Sequence, residues 1–96
     1  MNTQHTGDVV RATEELGKAR EDFRDALLSA HQSRSALGQL EAAAAHFCQA
    51  MRQQGETPER MLIDAKRVIQ ETIDGQDIPV AERAVLVCIQ HYYRAR

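Results

Sequence analysis

Turn-forming residues are scarce in this chain, which has five glycines and two prolines among 96 residues. An all-β fold needs more punctuation than that, so a few long helices are expected. Cysteine is scarce too. Cys48 and Cys88 sit inside the apolar runs AAAAHFCQAM and AVLVCIQ, where a free thiol behaves as a small buried hydrophobe. Nothing here reads as a disulfide scaffold. The formal charge of -2 comes from interspersed rather than blocked charges, which disfavours a generic binder of nucleic acid or acidic lipid. No apolar run approaches a membrane span, and the amino end MNTQHTGD lacks the basic and apolar regions of a signal peptide. A cytoplasmic protein is the expectation.

What is present suits one small domain. At 96 residues, with 43% apolar and 27% charged side chains, the core is modest, and a tight bundle or an oligomer often supplies the missing burial.

The stretch AHQSRSALGQL, from Ala30 to Leu40, poses the main architectural question. Stepping alternately by three and four from Val9 gives Val9, Ala12, Leu16, Ala19, Phe23, Ala26, Ala30, Ser33, Leu37, Leu40, Ala44, Phe47 and Met51. Only Ser33 is polar. A turn normally resets the phase of such a seam, and the stretch holds no proline and only the lone Gly38, which costs about 1 kcal/mol in a helix without ending it. With Asp8 as a cap, one helix over about 8–53 is therefore predicted after a disordered tail over 1–7. That helix would be roughly 65–70 Å long at about 1.5 Å per residue. A break near Ser33, giving a hairpin, is the alternative.

The two halves of this region differ. Glu15, Arg20 and Asp22 border a narrow stripe in the first half, as in a coiled coil, whereas Ala36, Ala43, Cys48 and Ala50 widen the apolar face in the second. Gly55 closes the region. GETPER then offers Thr57 as a cap, Pro58 at the first helical position and Glu59 at the positive end of the dipole. Met61, Leu62, Ala65, Val68, Ile69, Thr72 and Ile73 line one face of a helix over 58–74, with Arg60–Asp64 and Arg67–Glu71 spaced for surface pairs. Asp74-Gly75 ends it. A third helix over 79–94, with Asp77 as its cap, carries a run from Val85 to Ile89 that is apolar on every side and is expected to be covered on most of them. The predicted architecture is thus all-α: a long amino-terminal helix packed with two shorter ones in a single domain over 8–96.

Few residues suggest chemistry. Ala45-His46 followed by a hydrophobic pair, ahead of a helical hairpin, is similar in outline to histidine phosphotransfer domains. That resemblance implies a phosphoacceptor role for His46, with small Ala50 leaving room beside it, although Gln49 stands where the family has a Lys. Cys88 and His91 share metal-ligand spacing, but His46 and Cys48 point in nearly opposite directions on a helix, so no metal site is assigned. The middle of the Val80 to Tyr93 helix is committed to burial, which removes it as a recognition helix for nucleic acid. Tyr92 and Tyr93 read as one core ring and one rim ring.

The segment QGETPERMLIDAKRVIQE resembles one found in small bacterial all-helical proteins, in which a Gly-x-x-Pro-Glu-Arg-x-Leu turn leads into an amphipathic helix. The resemblance implies no activity and no site residues. The functional expectation is a non-enzymatic helical interaction module with no catalytic residue, cofactor or small-molecule substrate. Its interaction face is Leu16, Phe23, Leu27 and Ala30, which pairs as a homodimer or receives a partner helix. A phosphorelay carrier using His46 is the alternative.

Overall fold

The computed structural model describes the backbone at 3–73 and 77–94 and side chains at 13–73 and 77–93. Four α-helices make up the described chain: α1 (Thr3–Gln32), α2 (Leu37–Gln53), α3 (Pro58–Ile73) and α4 (Ile78–Arg94), with a 3-10 turn (Arg34–Ala36) between the first two. The all-α expectation holds. The first helix, however, breaks at Ser33. At about 1.5 Å per residue α1 is about 45 Å long, and it sets the long axis of a 50 × 23 × 20 Å molecule. It begins at Thr3, earlier than expected. The segment 3–7, read as a disordered tail, contains no proline, and extending an existing helix is far easier than nucleating one. The Asp8 cap and the seam positions Val9 and Ala12 lie outside the described side chains.

One residue makes the break. Ser33 adopts an extended conformation at φ -149 and ψ 124. Its amide closes the last turn of α1 on the Ser29 carbonyl at 2.8 Å, and its own carbonyl accepts from Ala36 at 3.1 Å. The Leu37 amide then bonds the Arg34 carbonyl, carrying the chain into α2. Paired hydroxyls of Ser33 and Ser35, 2.8 Å apart, span the corner, and Gly38 is an ordinary helical residue past it. Phase survives the turn. Ala19, Phe23, Ala26 and Ala30 on α1 and Leu40, Ala44, Phe47 and Met51 on α2 are all buried, so the counted seam names the right inward residues while running through two helices.

Folding back covers the stripe that seemed bare. Phe23, Leu27 and Ala30, expected as an interaction face, are fully buried inside the molecule, and Leu16 packs at the edge of the same core. The reason is the corner: α2 returns along α1, and α3 packs on α1 from another side.

The turn into α3 follows the local rules closely. Gly55 has φ 81, the Glu56 amide reaches the Met51 carbonyl at 3.2 Å and the Gly55 amide reaches Arg52 at 2.9 Å. That is the Schellman arrangement, which needs a residue tolerant of positive φ. Thr57 caps α3, its hydroxyl accepting from the Arg60 amide at 3.2 Å. Met61, Ala65, Val68, Ile69 and Ile73 point inward. The anticipated Arg67–Glu71 pair is exchanged: Glu71 meets Arg24 of α1 at 3.3 Å, and Arg67 turns back to Asp64 at 4.0 Å. The expected stop at Asp74-Gly75 lies outside the described residues. Helix α4 packs on α2 and α3 through Val80, Ala84, Val87 and Cys88.

Candidate interaction surface

Helix α4 is more apolar than its neighbours can cover. Val85 to Ile89 is apolar all round, yet only α2 and α3 pack extensively on it, so one side of the run has to face outward. Leu86 is 50% exposed. Val85 and Ile89, one helical turn apart, lie half-covered beside it, and Ile69 of α3 and Ala81 complete the floor of a groove of about 730 Å³ between α3 and α4. Lys66 and Gln70 rise from the α3 rim and Glu82 from the α4 rim. Neither Lys66 nor Glu82 has an ion-pair partner among the described residues. The groove therefore offers an open apolar floor between two charges of opposite sign that are unpaired among the described residues. Nothing in the residue count hinted at which side of α4 would stay open, but an all-apolar helix in a bundle this small was the available signal.

The groove's upper end is held by a polar latch. Asp77, 7% exposed, caps α4 by accepting from the Val80 amide at 3.3 Å. Its other carboxylate oxygen meets His31 Nδ1 at 3.0 Å, and Arg34 approaches the capping oxygen at 3.6 Å. His31 stands in the last turn of α1, where positive charge is favoured by the helix dipole. The hydrogen bond to His31 is the main reason the Asp77 carboxyl titrates below its ordinary range. The Val80 amide and the charges of Arg34 and His31 add to it, against the opposing effect of burial. Asp77 was legible as a cap. Its partners were not, because they lie across the fold on α1 and its corner.

At the other end, the Tyr92 hydroxyl donates to the Glu56 carbonyl at 2.6 Å and fastens α4 to the α2–α3 turn. Tyr93 is 53% exposed, as expected of a rim ring, while Tyr92, expected in the core, is half-buried and packs against the core's edge. A second, polar groove lies between α1 and α3, with arginines and carboxylates mixed along it. Arg20 there sits 5.9 Å over the Phe47 ring.

The other candidates separate in space. His46 is exposed on α2, but Ala50, expected to leave room beside it, is buried in the core. Cys48 and Cys88 are buried and free while His91 is exposed. The Cys48 thiol contacts Met61 Sδ at 3.5 Å, and the Cys88 thiol points to the Ala44 carbonyl at 3.8 Å. Hydrogen bonding to the Cys88 thiol, then burial, pushes the Cys48 thiol far up, so it stays neutral. Among the described residues no three His, Cys, Asp or Glu side chains gather as a metal site, and no helix is long and apolar enough to cross a membrane. No family model, curated protein or solved structure matches this chain.

Proposed function

We propose that this chain is a non-enzymatic helical interaction module whose docking surface is the α3–α4 groove. The observation that carries the reading is Leu86, half-exposed above the apolar floor of the groove: of the exposed large apolar side chains Leu28, Ile63, Ile78, Leu86 and Tyr93, it is the one that lines this groove. Covering the exposed part of such a side chain gains roughly 1 kcal/mol, and several of them in one groove make a binding face. The rims orient the partner through charge, and the floor supplies the affinity. A photo-crosslinking residue placed at Leu86, compared with one at exposed Gln49 on α2, tests this in the native host. Adducts specific to position 86 are expected. Equal labelling from both positions, or none from 86, would overturn it.

A phosphorelay carrier using His46 is the second reading, supported by the exposure of that imidazole on α2. It ranks lower because Gln49 supplies no cation beside the ring to steady an incoming phosphoryl group. Incubation with a labelled small-molecule phosphodonor separates the two: an acid-labile adduct lost in His46→Gln belongs to the second reading alone.

A further inference from the structure

We infer that the occupant of the α3–α4 groove is the same groove of a second copy of this chain, in a two-fold dimer that pairs Lys66 of each copy with Glu82 of the other. This rests on the interaction-module reading and adds the partner to it.

The argument begins with the rims. Opposite charges on the two rims, Lys66 on α3 and Glu82 on α4, make the groove complementary to itself under a two-fold rotation. Helices α3 and α4 follow one another with a short connection and pack together, which makes them antiparallel neighbours. A two-fold axis lying along the groove then sets α3 of one copy on α4 of the other. Lys66 stands seven residues before the end of α3 and Glu82 four residues after the start of α4. At about 1.5 Å per residue these are about 10 Å and about 6 Å from the connected corner. The mismatch of about 4 Å is within the reach of a lysine side chain. The same operation seats Leu86 of each copy on the floor of the other groove and forms the Lys66–Glu82 contact twice, as an isologous interface requires.

Within one copy neither charge has a partner among the described residues, so pairing between copies breaks no existing ion pair. Leu86 is 50% exposed, and Ile63, 49% exposed, stands seven residues before the rim residue Gln70, a spacing that returns to the same face of α3. Self-pairing covers these together.

Sedimentation of the full chain and two charge variants tests the arrangement. The unmutated chain is expected to be a dimer at micromolar concentration. Lys66→Glu sets like charges opposite one another twice per dimer, as does Glu82→Lys, and each should raise the dissociation constant about tenfold or more. Both positions are exposed, and circular dichroism should show unchanged helix content. An equimolar mixture of the two variants should dimerise again, because every cross-copy contact then joins Glu to Lys. Only contacts between copies predict that rescue in the mixture. A monomeric unmutated chain at tens of micromolar, variants that dimerise undiminished, or a mixture that stays monomeric would each overturn the self-pair. If the chain is monomeric while position 86 still crosslinks a different protein, self-pairing falls and the interaction-module reading stands.

Discussion

The rings of Phe23 and Phe47 lie 5.2 Å apart with their planes 32° from parallel. On an unbroken helix the two residues would be about 36 Å apart at about 1.5 Å per residue. Their contact is therefore the signature of the corner at Ser33, and both rings are fully buried. Phe47→Ala should cost about 3–5 kcal/mol, since it opens a cavity against Phe23 and removes the ring beneath Arg20. Urea unfolding measures it; a loss below about 1 kcal/mol would mean that the two helices do not pack there.

Two proline substitutions probe the corner itself. Arg34 opens the 3-10 turn, where φ near -60° suits proline, and Ser33 before it is extended, as the residue preceding a proline prefers. Arg34→Pro should change stability by less than about 1 kcal/mol, because the Arg34 side chain is largely exposed and its 3.6 Å contact with buried Asp77 is long. In an unbroken helix the same change would cost about 3 kcal/mol or more. Ser33→Pro should do worse than Arg34→Pro. It removes the 2.8 Å bond from the Ser33 amide to Ser29 and demands a φ far from -149.

Acidification should loosen the latch. Folding lowers the pKa of Asp77, so the folded state holds its ionised form more tightly than the unfolded chain does. The stabilisation this provides is complete above the ordinary carboxylate range, near pH 4, and is lost as pH falls through the lowered value. Asp77→Asn should be less stable than the parent at neutral pH and should lose less stability below pH 4. His31→Ala should move the Asp77 titration back up, which a carboxyl-detected titration reads directly. An Asp77 midpoint unchanged by His31→Ala would refute the assigned cause.

Both thiols should be inert in the native state. They are fully buried, and Cys48 is held neutral by its surroundings, while the thiolate is the reactive form. A thiol reagent at pH 8 should label neither within minutes, and both at once in urea. Rapid labelling of the folded chain would show that α2 and α4 open readily.

Local chemistry made much of this fold legible. The spacing of Phe23, Ala30, Leu40 and Phe47 marked the inward residues, Thr57 and Asp77 announced the starts of α3 and α4, and Gly55 marked the end of α2. These signals depend on neighbours within a turn or two, so the sequence by itself determined them. Even the corner left a trace, because Ser33 is the only polar member of the seam. What it could not reveal is what each face packs against. A periodic stripe reports that Phe23 and Leu27 are inward without saying whether a second copy or the chain's own α2 and α3 cover them, and one extended residue decides that. The meeting of His31 with Asp77 and the exposure of Leu86 likewise depend on where distant helices come to rest. Burial and pairing across a bundle are properties of the packed whole, and only the tertiary structure decided them.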